Sequence, residues 1–196
     1  MNQLEAALRR ATEDLARLDV RWALIGGFAV SARTEPRFTR DVDIAVAVDD
    51  DSSAERLVRS LLAEGYQLMA SIEQEATGRL ATVRLAAPLA DDADMVVDLL
   101  FASSGIEREI AEAAEDIEIV PGLTLPVART GHLIALKLLA RDDTRRPRDA
   151  ADLIGLAAVA EPEDRELARE AVELISSRGY DRGRDLQQDL EALGTG

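Results

Sequence analysis

The sequence predicts an α/β fold: a mixed sheet with flanking helices, followed by a helical C-terminal lobe. Short β-branched runs alternate with amphipathic segments through the first part of the chain, and beyond Arg129 only helical spacing is found. The two parts meet at the turn-like segment PGLTLP, so the expected division is a 1–125 α/β domain and a 126–196 helical domain. With 196 residues, 47% of them hydrophobic, the chain can bury a core of that size.

A first helix is expected over residues 2–18, where Leu4, Leu8, Leu15 and Leu18 recur at near-helical spacing. Trp22 to Ile25 forms a short strand that runs into Gly26 and Gly27, and a helix follows at Phe28. TEPRFTR makes a loop around Pro36, and DVDIAVAV reads as a strand. An amphipathic helix is expected near residues 53–64, with strands at Leu80 to Ala86 and Met95 to Phe101 separated by the acidic turn LADDAD. A helix near residues 106–114 and the strand-like IEIV precede PGLTLP, and three or four helices complete the chain.

Composition excludes several function classes. No apolar run is long enough to span a membrane, and the N-terminus lacks the features of a signal peptide, so a soluble cytoplasmic protein is expected. The absence of cysteine removes disulfides, thiolate metal sites and cysteine nucleophiles, and His132 is the single histidine. Any metal must then be held by oxygen, which favours magnesium or manganese. A net charge of -15 disfavours broad binding to nucleic acid, which draws on Lys and Arg. An RNA substrate would need a local basic patch such as Arg141, Arg145, Arg146 and Arg148, although a solvated loop of mixed charge fits that segment as well.

The candidate chemistry starts at Gly26-Gly27. A strand turning through two glycines into a helix exposes backbone N–H groups that a phosphate can approach, although a plain tight turn reads the same way. Asp41 and Asp43 lie two apart on a strand and so share one face, with Val42 and Ile44 directed to the core. Neighbouring carboxylates repel, and a divalent cation is the usual remedy; an acid-decorated edge is the alternative. Asp98 stands in MVVDLLF, an apolar strand where an isolated carboxylate costs several kcal/mol unless a metal or a partner compensates it. Asp91, Asp92 and Asp94 lie in the preceding turn and need no such explanation.

The helical part adds Lys137, the only lysine among 23 basic residues. A compact ammonium is suited to phosphate capture, and its neighbours Ile134, Leu136, Leu138 and Leu139 suggest a largely buried helix. Asp149 and Asp152 share a face at the start of the next helix, where acids ordinarily offset the macrodipole.

IGGFAV, then DVDI, then a later Asp on a buried strand resembles the signature of DNA polymerase β-like nucleotidyltransferases. The resemblance implies that the glycine loop holds a nucleoside triphosphate and that Asp41, Asp43 and Asp98 are catalytic and bind two magnesium or manganese ions. Asp41 and Asp43 would bridge both ions, and Asp98 would serve the one that activates the acceptor hydroxyl. Many members carry Gly-Ser where this chain has Gly26-Gly27, so a serine hydroxyl contact to the phosphates would be missing or supplied by Ser31.

The glycine pair, the segment Arg37-Phe38-Thr39-Arg40-Asp41-Val42-Asp43, the lysine helix and the run from Arg148 to Leu153 together resemble the AbiEii-type abortive-infection toxins. That likeness implies nucleotide-binding roles for Gly26, Gly27, Ser31, Arg40, Lys137 and Asp149. It also implies transfer of a nucleoside monophosphate to the 3′ end of tRNA, contacted through the Arg141–Arg148 patch, and a cognate antitoxin as partner. A small-molecule or protein acceptor, and a nucleotide-binding module without catalysis, are the competing readings.

Overall fold

The computed structural model describes residues 3–37, 39, 41–75, 77–88, 95–141 and 147–194. Helix α1 (Gln3–Arg17) precedes β1 (Trp22–Ile25), α2 (Gly26–Arg33), β2 (Asp41–Val46), α3 (Asp51–Ala63), β3 (Gln67–Glu73), β4 (Leu80–Ala86) and β5 (Val96–Leu100). Then follow α4 (Glu107–Glu112), β6 (Glu115–Val120), β7 (Leu123–Val127) and the helices α5 (Thr130–Ala140), α6 (Pro147–Val159), α7 (Pro162–Ser177) and α8 (Leu186–Gly194).

The strands form one seven-stranded mixed sheet in the order β3-β4-β5-β2-β1-β7-β6. Its centre is built from the segments with the clearest alternation. β1 is buried along its whole length, and in β2 Val42 and Ile44 are fully buried while Asp41 and Asp43 take the other face. β2 pairs antiparallel with β1 and parallel with β5, which sets Ile25 beside Asp43 and Asp43 beside Asp98. A register slip of one residue would send the carboxylates into the core, so the hydrophobic pattern itself fixes their position.

Two strands differ from expectation. PGLTLP, read as a turn, holds only its turn at Pro121-Gly122; Leu123 to Val127 is strand β7, parallel to β1 and antiparallel to β6. β3 had no sequence signal, because six of its seven residues are exposed and no face alternates.

Helix α5 is the core of the helical part. It is apolar around most of its circumference and packs against α6, α7 and α8, while α2 bridges it to the sheet. Gly131 permits the close approach to α7: a Cβ there would lie 2.3 Å from the Asp164 carbonyl oxygen. His132 is 3% exposed on this helix, and burial, with the charge of Arg129, lowers its pKa to about 4. The unfolded chain therefore binds a proton between about pH 4 and 6.5 that the folded protein excludes, so stability present above pH 6.5 is lost as pH falls through that window. Thermal melts from pH 7 to 4 should show a steeper loss in the parent than in His132→Gln, by roughly 3 kcal/mol. Parallel curves would contradict this placement.

Buried acids are not all functional. Asp14 on α1 is 1% exposed, yet it accepts from Arg10 Nε at 2.7 Å and from the Tyr66 hydroxyl at 2.9 Å, and it also pairs with Arg17. It is a satisfied structural carboxylate.

Candidate active site

A cavity of about 980 Å³ opens where the sheet meets the helical part. Gly26, Gly27, Asp41, Asp43, Asp98 and Lys137 all line it. Ser31 and Asp149 are not among the lining residues, and Arg40 lies outside the described residues.

Gly26 is where β1 turns into α2, with φ at 62°, the left-handed region that favours glycine. A Cβ at this position would fall 1.9 Å from Asp43 Oδ2, so the carboxylate occupies the space a side chain would take. At Gly27 a Cβ would come within 2.5 Å of Thr39 Oγ1. The Gly27 backbone N–H favours the ionised Asp43 carboxyl, which couples the glycine turn to the strand carrying the acids. Gly26→Ala should therefore lose about 1–3 kcal/mol of stability and also displace Asp43. A variant that melts with the parent and retains full transfer activity would overturn this reading of the turn.

Burial pushes the Asp43 carboxyl up to about 6, the charges of Asp98 and Asp41 add to the rise, and Lys137 opposes it. Three carboxylates on adjacent strands, with no thiolate or histidine among them, make a donor set suited to a hard divalent cation. Among the described residues, however, no three acidic or histidine side chains are gathered into a coordination shell. Asp98 is instead held by Arg84, directly opposite on β4: Nε donates to Oδ1 at 2.8 Å and Nη2 to Oδ2 at 2.7 Å. The partner that a buried Asp98 requires is thus an arginine, which sequence spacing did not indicate.

Lys137 belongs to a second network. Its Nζ lies 2.7 Å from Asp149 Oδ1 and 2.8 Å from Asp152 Oδ2. Asp152 also receives Arg37, whose Nη2 donates to Oδ2 at 2.8 Å and whose Nε is 2.8 Å from Oδ1. Asp149 and Asp152, at the start of α6, are 6% and 5% exposed, so they are buried as well as placed to offset the helix dipole. They anchor two cations, Lys137 and Arg37, that border the cavity. An ammonium carries three donors, so two carboxylates do not exhaust Lys137. The Ser31 hydroxyl accepts from the Arg37 backbone N–H at 3.2 Å and so braces the segment that presents Arg37.

A model of the nucleotidyl transferase AbiEii toxin family, of type IV toxin-antitoxin systems, matches residues 7–194. The chain belongs to the AbiEii family. No functionally curated protein matches it. Among solved structures, this AbiEii chain is similar to an antigenic nucleotidyltransferase-like protein from Paracoccidioides brasiliensis, at 20% identity over 97% of this chain and 93% of that one, with a TM-score of 0.57. MenT4, a nucleotidyltransferase toxin from Mycobacterium tuberculosis H37Rv, matches at 21% identity with a TM-score of 0.53, over 86% of this chain and 63% of its own length. ANT(2″)-Ia, solved with adenylyl-2″-tobramycin, matches at 14% identity over 98% of both chains, TM-score 0.53. These likenesses establish a nucleotidyltransferase fold for the AbiEii chain. No helix among its described residues is long and apolar enough to cross a membrane.

The expected basic patch is described only at its ends. Arg141 is half-buried, with its carbonyl accepting from Arg184 Nη1 at 2.6 Å, and Arg148 is exposed; Asp142, Asp143, Arg145 and Arg146 lie outside the described residues, as do Asp91, Asp92 and Asp94.

Proposed function

We propose that this AbiEii-family nucleotidyltransferase is magnesium-dependent and moves a nucleoside monophosphate from a nucleoside triphosphate to the 3′ end of tRNA. The observation that carries the catalytic reading is the convergence of Gly26-Gly27, the strand-borne Asp41, Asp43 and Asp98, and Lys137 on one cavity. Asp41 and Asp43 would hold a divalent cation, with Asp98 joining them once released from Arg84. Such a cation, when bound, supplies charge neutralisation at the α-phosphate and acidifies the acceptor hydroxyl.

The chain's own residues account for the rest. The start of α2 presents backbone N–H groups to the phosphates. Lys137, fixed by Asp149 and Asp152, and Arg37, fixed by Asp152, offset the triphosphate charge. Asp98, on the strand beside Asp43, would take the proton of an attacking hydroxyl once released from Arg84. The type IV family also supports a cognate antitoxin as partner.

A second acceptor class has its own support. Glu73, Glu75 and Asp181 line the cavity alongside Arg182, an acidic excess that suits a cationic small molecule better than a polyanion. The test is incubation of the purified protein with each α-labelled nucleoside triphosphate and either a tRNA pool or a panel of polyamine and aminoglycoside acceptors. Label on the tRNA 3′ end supports the first acceptor; label on the small cations alone replaces it with the second. Absence of transfer to every acceptor, with nucleotide still bound, would leave a binding module.

A further inference from the structure

The cavity contains one charge pair that neither phosphate capture nor the carboxylate triad explains, the fork between Arg84 and Asp98. We infer that Arg84 is a resident counter-cation which caps Asp98 while the site is empty and must be displaced before the third carboxylate can join a metal, so that nucleotide arrival and completion of the metal site are coupled. This rests on the metal-dependent reading given above.

Asp98 is 6% exposed on a central strand, where burying a carboxylate without a charge partner is costly. Arg84 supplies one from the facing register position on β4 and engages both oxygens. Its guanidinium is held above its ordinary pKa first by the hydrogen bonds to Asp98, with the charges of Asp98, Asp41 and Asp43 adding to the effect. The same cation therefore faces the whole acidic cluster.

A divalent ion and a guanidinium on one carboxylate repel each other, so the two compete for Asp98. The mobile member is Arg84. Its side chain is 46% exposed on a long flexible stem, whereas that of Asp98 is 9% exposed and fixed between β2 and β4. A triphosphate entering the cavity offers Arg84 a new anion. The guanidinium can leave Asp98 for that anion without losing its charge partner, and Asp98 then becomes available beside Asp43.

The experiment is calorimetric titration of magnesium into the nucleotide-free protein and into its complex with a non-hydrolysable nucleoside triphosphate. It compares the parent with Arg84→Met, Arg84→Lys and the double variant Arg84→Met/Asp98→Asn. In the nucleotide-free state Arg84→Met should bind magnesium about tenfold or more tightly than the parent, and Arg84→Lys, which cannot fork both oxygens, should fall between. The double variant should lose the gain, and the enhancement of metal affinity by nucleotide should shrink in Arg84→Met. Metal-free Arg84→Met should also melt earlier than the parent and recover with magnesium. If it does not fold without metal, Arg84→Lys decides the matter alone. Equal or weaker metal affinity in the folded variants overturns the inference and leaves the metal reading intact. Absence of magnesium binding in parent and variants alike, with or without nucleotide, removes the metal reading and the inference together.

Discussion

Asp43→Asn is expected to cut nucleotidyl transfer by about a thousandfold while leaving metal-free stability equal to that of the parent or higher. The two effects have one cause. Asp43 is the carboxylate whose ionisation the fold opposes most visibly, since burial and the neighbouring Asp98 and Asp41 all push its proton affinity up. Asparagine keeps the shape of the side chain, and it removes a charge that burial and the neighbouring Asp98 and Asp41 disfavour. What it cannot do is hold a divalent cation as a carboxylate does. Melting in chelator and steady-state transfer, measured on the same preparation, check both halves. Loss of activity accompanied by a large loss of stability would make Asp43 a structural residue.

The second large effect is expected at Asp152. Its side chain is 3% exposed and shared between Lys137 and Arg37, so Asp152→Asn leaves two cations short of charge in a largely buried setting. Breaking one member of such a network costs about 3 kcal/mol, or roughly 6–12 °C in melting temperature for a chain of this size. Nucleotide affinity should fall as well, because Lys137 would be oriented by Asp149 alone and Arg37 would lose its anchor. A variant that melts within a degree of the parent and binds nucleotide normally would show that the network only fills space.

The parts of this site that were legible in the sequence are those governed by local periodicity. Alternation in DVDI placed Asp41 and Asp43 on one face and Val42 and Ile44 in the core, and the apolar run around Asp98 marked it as a buried acid. The partners were not legible. Arg84 meets Asp98 through the register of an antiparallel pair, and nothing local distinguishes it from a surface arginine on a strand. Asp149 and Asp152 look like ordinary first-turn acids, because the helix-dipole reading is sufficient locally, while Lys137 reaches them from another helix. Strand β7 was hidden by Gly122 and Pro126, residue types that argue against an internal strand, yet the segment pairs with both β1 and β6. Strand β3 was hidden by its exposure on both faces.

The geometry of Gly26-Gly27 and of the carboxylates has a common origin in β1 and β2. Their antiparallel register sets Ile25 beside Asp43, so the turn that follows Ile25 must pass directly over the carboxylate, and only glycine leaves room. The helical part then closes the cavity from the other side through Lys137, whose charge is felt at Asp43. The sheet and α2 bring the backbone donors and the acids together, and α5 adds the cationic side chain.

The central claim is that this one cavity holds the triphosphate and its metal, and the most direct measurement is a crystal structure with magnesium and a non-hydrolysable nucleoside triphosphate. The account predicts phosphate oxygens within hydrogen-bonding distance of the backbone at Gly26-Gly27 and of Lys137 Nζ, with metal density on Asp41 and Asp43. A nucleotide bound away from these residues, or triphosphate density in the cavity with no metal on either aspartate, would contradict it.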